Sequence, residues 1–182
     1  MRKVYVFLAD GFEEIEGLTV VDILRRAGVE VCMVSVTGKR MIRGSHHIGI
    51  EADALFEECD FADADILVLP GGMPGTRHLG EHAGLTALLK EFHEAQRGIA
   101  AICAAPSVLG DLGLLEGKTA LCYPGFEERL IGARIADGTV VTDGHITTSR
   151  GMGTAIDFAL ELTRRLCGAE KANELAATIM YA

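Results

Sequence analysis

Short apolar runs alternate with amphipathic stretches along this chain. The apolar runs carry almost no charge, which is typical of strands that are buried on both faces of a parallel sheet. They predict strands at 3–8, 29–36, 65–70 and 98–102. Apolar residues spaced three and four apart predict helices at 15–26, 84–96, 154–166 and 169–179. Strands and helices in this order indicate an α/β protein with a mostly parallel sheet and helices on both of its faces.

The remaining segments are shorter and less regular. Residues 40–58 have the pattern of an excursion of short extended pieces. A short helix is expected to end near Leu112, followed by a strand at 118–123 and a helical piece at 127–131. The chain contains no repeats, low-complexity segments or linkers, so we expect residues 1–182 to form one domain.

The late part of the chain allows two interpretations. In the first, 134–136 and 139–142 form a hairpin about Asp137-Gly138, because Asp-Gly is a strong hairpin-turn signal. In the second, 140–141 and 146–148 belong to one late strand or to two.

Three loops follow predicted strands and are expected to meet. In parallel α/β sheets, the site lies beyond the carboxyl ends of the strands. The loops at 9–16, 70–76 and 103–106 all leave such ends. We therefore expect the functional site to be built from these loops.

Cys103 is the strongest candidate for a chemically active residue. An apolar strand ends just before it, and a helix with Pro106 in its first turn begins just after it. Cys103 should therefore lie on a sharp strand-to-helix turn, near unpaired helix N–H groups that favour a thiolate. The alternative is an inert buried cysteine, because free cysteines are among the most buried residues.

A carboxyl group is predicted to accompany this thiol. Glu16 lies one turn before the apolar stripe of its helix, so its side chain is expected to point into the interior. A buried carboxyl tends to keep its proton, which lets it act as an acid/base partner for a thiolate. For Glu13 and Glu14 we expect only charge compensation at the start of the helix.

Other polar residues offer weaker candidates. The backbone N–H groups of Gly72 and Ala104 are placed to hold a developing oxyanion, although Gly71-Gly72 is also explained by a tight turn. His145 would complete a Cys-His-Asp triad, but a turn or edge-strand position is the simpler interpretation. His46 and His47 are adjacent, so on a strand their side chains point apart and form no metal site by themselves.

Composition and charge narrow the function classes. The chain has 182 residues, 49% of them hydrophobic, and a formal net charge of −9, which argues against nucleic acid and anionic membrane surfaces as partners. No apolar run approaches the roughly 20 residues needed to span a bilayer, and the N-terminus does not read as a signal peptide. Five scattered cysteines argue against a disulfide framework or a zinc site, and for a reducing cytoplasm.

Four segments together resemble the ThiJ/PfpI superfamily, and within it the branch of the Parkinson-disease-associated protein deglycase. They are 9–16 (ADGFEEIE), 67–72 (LVLPGG), 101–106 (AICAAP) and 148–154 (TSRGMGT). The resemblance implies a flavodoxin-like three-layer sandwich, a nucleophilic Cys103, a protonated Glu16 and an oxyanion site from Gly72 and Ala104. It also implies a homodimer packed through the helix that starts near Glu16, in which Arg26 reaches toward the partner's site.

The chain also departs from the family pattern. Tyr123 stands before Pro124, where many members have a histidine. A tyrosine is a poor general base at neutral pH, so its expected role is to orient substrate or to hydrogen-bond an oxyanion. His46 replaces a second family arginine, and Ala105 stands where glycine is common.

The resemblance favours a cysteine-dependent enzyme acting on α-oxoaldehydes, a glutathione-independent glyoxalase or protein deglycase. Its substrates would be a small carbonyl compound or glycated side chains, and we expect neither a cofactor nor a metal ion. A redox sensor or stress-protective chaperone that uses oxidation of Cys103 needs the same residue pair and is the alternative. An amidotransferase-like hydrolase or a protease is less favoured, because no His-x-Glu motif follows Cys103.

Overall fold

A computed structural model describes residues 2–181 of the chain. Its strands are β1 (Lys3–Leu8), β2 (Glu30–Ser35), β3 (Met41–Arg43), β4 (Gly49–Glu51), β5 (Ala54–Leu55), β6 (Ile66–Leu69), β7 (Gly98–Ile102), β8 (Thr119–Ala120), β9 (Arg134–Ile135), β10 (Val140–Asp143) and β11 (Ile146–Ser149). Its α-helices are α1 (Glu14–Arg26), α2 (Gly75–Glu81), α3 (Ala83–Glu94), α4 (Pro106–Asp111), α5 (Ala155–Cys167) and α6 (Ala169–Thr178). Short 3-10 turns occur at Phe56–Glu58, Glu127–Arg129 and Met152–Thr154.

Seven strands form the central sheet, in the order β10-β11-β7-β6-β1-β2-β5. All neighbouring pairs are parallel except β10 and β11 at one edge. One apolar core joins one face of the sheet to α1, α5 and α6, and a second joins the other face to α3 and α4. The predicted mostly parallel three-layer α/β sandwich is confirmed.

The sequence pattern explains the two layers. In β1 every residue after Lys3 is buried, because the strand lies in the middle of the sheet and is covered on both faces. Successive side chains of β1 therefore enter different cores: Val4 and Val6 pack toward α1, and Phe7 packs toward α3. Helix α1 buries Val20, Ile23 and Leu24 along one stripe, as the helical spacing predicts.

The predicted hairpin about Asp137-Gly138 is wrong. Strand β9 instead pairs in parallel with β8, in a small separate sheet. Strand β10 turns through Gly144 and His145 and pairs with β11, so the interpretation with two late strands is confirmed. A second Asp-Gly pair, at Asp143-Gly144, supplies this turn, and β11 also pairs with the buried strand β7.

Two further elements differ from expectation. The strand predicted at 118–123 is limited to β8, because the backbone N–H of Leu121 donates to the side-chain hydroxyl of Thr148 (2.8 Å) and not to a backbone carbonyl. Helix α2 was not predicted, because its seven residues lack a helical apolar stripe. No helix within residues 2–181 has the length and apolar character of a membrane span.

Candidate active site

Cys103 lies on the tight turn between β7 and α4. Its backbone φ is 65°, in the left-handed region that residues other than glycine adopt only at a cost. The turn is held from two sides. The backbone N–H of Cys103 donates to the Ser149 carbonyl (3.0 Å), and the Cys103 carbonyl accepts from the Tyr123 N–H (2.8 Å). These bonds fix a strained elbow that presents the thiol beyond the carboxyl end of the sheet.

Glu16 approaches this thiol from the first turn of α1. Its side chain is buried, with the residue 1% exposed, and Oε2 accepts a hydrogen bond from the Gly71 N–H at 2.9 Å. A Cβ atom placed on Gly71 would lie 2.7 Å from Glu16 Oε2 and 3.0 Å from Cys103 Sγ. The absent side chain at Gly71 therefore leaves the space in which carboxyl and thiol meet. The second oxygen, Oε1, is buried without a hydrogen-bond partner among residues 2–181.

The two groups control each other's protonation. Burial raises the pKa of Glu16 to about 7, although hydrogen bonds to the Cys103 thiol and the Gly71 N–H oppose the rise. Burial, the charge of the Glu16 carboxylate and the hydrogen bond to it raise the pKa of Cys103 to about 12. Between these values the pair holds a single proton, which is mostly on the sulfur, and the form with the proton on Glu16 is the minor one.

This result differs from the thiolate stabilisation that the turn alone predicts. The backbone N–H groups of Gly72 and Ala104 lie close enough to the Cys103 sulfur to lower its pKa. Burial and the neighbouring carboxylate outweigh them. Negative charge on the sulfur consequently depends on Glu16 holding the shared proton.

Gly72 reaches the sulfur through a conformation that suits glycine. Its φ is 87°, and a Cβ atom there would clash with the backbone of Phe12 and Glu13. This close approach of the two backbone segments also lets the Glu13 N–H donate to the Gly71 carbonyl (2.8 Å). Ala104 lies in the Cys103 turn. The structure therefore brings together four residues that the sequence predicts for the site: Glu16, Gly72, Cys103 and Ala104.

Tyr123 lies beside these four residues and Arg26 does not. The Tyr123 backbone contacts the Cys103 carbonyl, its side chain is half exposed, and a Cβ atom on Gly151 would lie 3.2 Å from its ring. Arg26 is ten residues beyond Glu16 on α1, a rise of about 15 Å. Its guanidinium pairs with Asp22 at 2.7 Å on the exposed side of the helix.

Glu14 has a role that helix-start charge compensation does not describe. The residue is 2% exposed, and its carboxylate accepts the backbone N–H of His46 (2.8 Å) and of Ile48 (3.4 Å). It thus fastens the loop between β3 and β4 to the start of α1. Ligand atoms of Glu13, Glu14 and His46 lie within 4.8 Å of one another, a spacing that a cation would tolerate, but loop anchoring already explains the contacts.

His145 lies at the opposite end of the sheet from Cys103. It precedes β11, whereas Cys103 follows the parallel neighbour β7. Its Nε2 atom is hydrogen-bonded to His93 Nδ1 at 3.0 Å, and its Nδ1 is buried without a partner in the described residues. A Cys-His-Asp triad through His145 is therefore wrong, and the expected turn position is correct.

Comparisons with known proteins agree with this geometry. A family model described as the DJ-1/PfpI family matches residues 2–165. The chain is 37% identical over 183 residues to protein dj-1beta of Drosophila melanogaster, covering 100% of this chain and 98% of the relative. It is 32% identical over 167 residues to a protein named deglycase from Pyrococcus abyssi, covering 90% of this chain and 99% of the relative. The solved structure of oxidized DJ-1 from Toxoplasma gondii has a TM-score of 0.96 and 39% identity, with both chains covered in full.

Proposed function

Because the chain belongs to the DJ-1/PfpI family, we propose that it is a cysteine-dependent enzyme that acts on reactive α-oxoaldehydes. The small substrate would be methylglyoxal or a compound like it, as in a glutathione-independent glyoxalase. Adducts of such aldehydes on protein side chains would be the larger substrates, as the name of the Pyrococcus abyssi relative suggests for that protein. The reaction proposed below needs no cofactor.

The observation that carries the proposal is the buried pair of Glu16 and Cys103. One proton shared by a carboxyl and a thiol supplies both a nucleophile and a proton carrier at the same point. In the reactive form the proton is on Glu16 and the negative charge is on the sulfur. The unpartnered Oε1 of Glu16 is the oxygen free to exchange a proton with a bound substrate.

The proposed reaction begins with attack of the Cys103 sulfur on the aldehyde carbon of methylglyoxal. A C–S bond forms, and the carbonyl oxygen takes up a proton to give a hemithioacetal. Glu16 then removes the proton from this carbon and returns one to the neighbouring carbon, which converts the hemithioacetal into a thioester of lactate. Water cleaves the thioester, releasing lactate and restoring the thiol. Methylglyoxal and one water thus give one lactate, with no net oxidation.

Backbone donors would stabilise the charge that develops on oxygen. The N–H groups of Gly72 and Ala104 lie close enough to the sulfur to lower its pKa. A substrate oxygen bonded through the new carbon would lie close to both and accept from them in its place. We assign Tyr123, which flanks the pair and is half exposed, to substrate orientation.

We also propose that the protein acts as a homodimer in a reducing, cytoplasmic compartment. An apolar groove of about 620 Å³ runs along α1, where Ile15 and Ile48 are half exposed, and a second copy would cover it. Arg26 also lines this groove, so in such a dimer its guanidinium would reach toward the partner's site. All five cysteines are free thiols, which fits a reducing compartment.

The test is loss of methylglyoxal and formation of lactate by the wild-type protein and three variants. We expect Cys103→Ser to abolish turnover, Glu16→Gln to lower kcat by at least about 100-fold, and the exposed-thiol control Cys167→Ser to match the wild type. Turnover that survives in Cys103→Ser would contradict the proposal.

A second candidate function is redox sensing through the same thiol. It is favoured by the two N–H donors on the sulfur and the adjacent carboxyl, which together would hold a sulfinate formed there. A wild-type protein that shows no Cys103-dependent turnover, yet gains two oxygen atoms on Cys103 at low peroxide, would support this function over the enzyme. An amidotransferase-like or proteolytic activity lacks a supporting histidine, since His145 lies elsewhere.

A further inference from the structure

A second pair of sulfur atoms lies far from Cys103. Cys32 is in the middle of β2, and Cys59 follows the 3-10 turn Phe56–Glu58. Both side chains pack against the same apolar core, and the two thiols are close enough to affect each other's pKa. Strand β2 is three strands away from β7, a lateral distance of about 14 Å, so this pair is separate from the candidate active site.

The backbone around both sulfur atoms is held in place. Tyr5 is the register partner of Cys32, and its hydroxyl donates to the carbonyl of Asp60, next to Cys59, at 2.8 Å. The Cys59 thiol donates to the Leu55 carbonyl (3.4 Å), and Leu55 is paired with Ser35 of β2. These contacts hold the backbone of both cysteines on the same side of β1 and β2, so the two thiols stay neighbours in the folded chain.

We propose that Cys32 and Cys59 form a dithiol site that hydroperoxides oxidise to an intramolecular disulfide. Neither residue is fully buried, so a small peroxide has access to the pair. This proposal does not depend on the proposed enzyme activity, because it involves neither Cys103 nor Glu16.

Cys59 is the residue that reacts first. Burial raises the pKa of both thiols, but the contact with Cys32 and the positive charges of Lys3 and Arg40 oppose the rise at Cys59. At Cys32, burial and the partner sulfur raise the pKa to about 12, so Cys59 is the more acidic thiol of the two. The Cys59 thiolate attacks the peroxide, the O–O bond breaks, and a sulfenic acid and an alcohol or water form. The Cys32 sulfur then attacks the sulfenic sulfur, an S–S bond forms, and water leaves. Two thiols and one peroxide give one disulfide.

The disulfide would close a loop that carries part of the active-site surroundings. The segment between the two cysteines includes β3, β4 and the loop at His46. This segment contacts the loop after β1 through the bonds from the Gly11 N–H to the Arg43 carbonyl (2.8 Å) and from the Ser45 N–H to the Phe12 carbonyl (2.8 Å). Closing it restricts the unfolded chain, so we expect oxidation to raise Tm by about 5 °C.

The test treats the full chain with a few equivalents of hydrogen peroxide, alkylates the remaining thiols, and maps non-reduced peptides by mass spectrometry. We expect a peptide pair joined through Cys32 and Cys59, lighter by two hydrogens, that dithiothreitol separates. The control Cys167→Ser should form the same cross-link. Cys32→Ser should lose it and leave a sulfenic acid on Cys59 that dimedone traps, and Cys32→Ala gives the same readout if the serine variant folds poorly.

Two results would overturn the proposal. One is that Cys32 and Cys59 both remain open to alkylation after Cys103 has been oxidised completely. The other is that cross-links involve Cys167 or join two chains, while none joins Cys32 to Cys59.

Discussion

The Glu16 carboxyl and the Cys103 thiol meet in the space beside Gly71, at the carboxyl end of the sheet. The carboxyl is on α1 and the thiol is on the turn after β7. Gly71, on a third element, donates to the carboxyl and leaves room for the contact. Because three elements must be packed before the pair exists, its chemistry is a property of the folded chain and not of any one segment.

The first prediction concerns the pH at which Cys103 becomes reactive. The pair loses its first proton near the raised pKa of Glu16, about 7. Above that pH a minor form exists in which Glu16 keeps the remaining proton and the sulfur is the reactive thiolate. The rate of Cys103 alkylation by iodoacetamide should therefore rise through about pH 7 in the wild type. Glutamine cannot hold the proton, and burial still disfavours the thiolate, so in Glu16→Gln the rise should move above about pH 9, past the ordinary thiol pKa. Coinciding pH profiles of the two proteins would show that the groups are not coupled.

The second prediction concerns Gly71. A methyl group there would lie 2.6 Å from Cys103 Cβ and 2.7 Å from Glu16 Oε2, so Gly71→Ala must push thiol and carboxyl apart. We expect a loss of about 1–3 kcal/mol in the free energy of unfolding and at least about a 100-fold loss of methylglyoxal turnover. Gly80→Ala is the matched control, because its methyl group would meet Val108 at an ordinary 3.5 Å. Urea unfolding and turnover are measured for both; equal behaviour would contradict the assigned role of Gly71.

Sequence reasoning succeeded where a local signal and a general rule of the fold coincide. An apolar run followed at once by a helix start predicted the turn at Cys103, and the rule for parallel sheets placed three loops at one edge. The inward direction of Glu16 followed from helical spacing alone. The hairpin about Asp137-Gly138 was wrong because two Asp-Gly turns compete, and the pairing of β11 with β7 decides between them.

Contacts between distant segments could not be predicted in this way. Nothing near Glu14 in the sequence indicates that residues 46 and 48 donate to its carboxylate. The pairing of His93 with His145 depends on the packing of α3 beside the turn before β11. The pKa of Cys103 likewise depends on burial and on a charge from another element, neither of which a turn motif specifies.

The third prediction compares two adjacent glutamates. Glu14→Ala would leave the backbone N–H groups of His46 and Ile48 without their acceptor, so we expect the free energy of unfolding to fall by about 2–3 kcal/mol. Within residues 2–181, the Glu13 carboxylate accepts only from the Ser45 hydroxyl, at 3.2 Å, and contacts the His46 ring at 3.4 Å, so Glu13→Ala should cost less than about 1 kcal/mol. Urea unfolding at neutral pH measures both. A larger cost for Glu13→Ala would mean that Glu14 does not anchor the loop.

The fourth prediction concerns stability in acid. Burial and the nearby charges of Lys118, Arg165 and, when it is protonated, His93 lower the pKa of His145 to about 4, while Asp143 opposes them only weakly. In the unfolded chain this histidine has its ordinary pKa near 6.5, so between pH 6.5 and 4 the unfolded state binds more protons than the folded state does. Stability from this group is present above pH 6.5 and is lost as the pH falls to 4, by about 3 kcal/mol for a side chain in a residue that is 5% exposed. Urea unfolding at pH 7 and 4.5 should show that His145→Leu loses less stability in acid than the wild type.

The control His46→Gln should retain the full acid loss. Glu14 raises the pKa of His46, so protonation of His46 in acid stabilises the folded state, the opposite of the effect of His145. An equal loss in His145→Leu and the wild type would mean that the buried histidine pair does not set the acid limit.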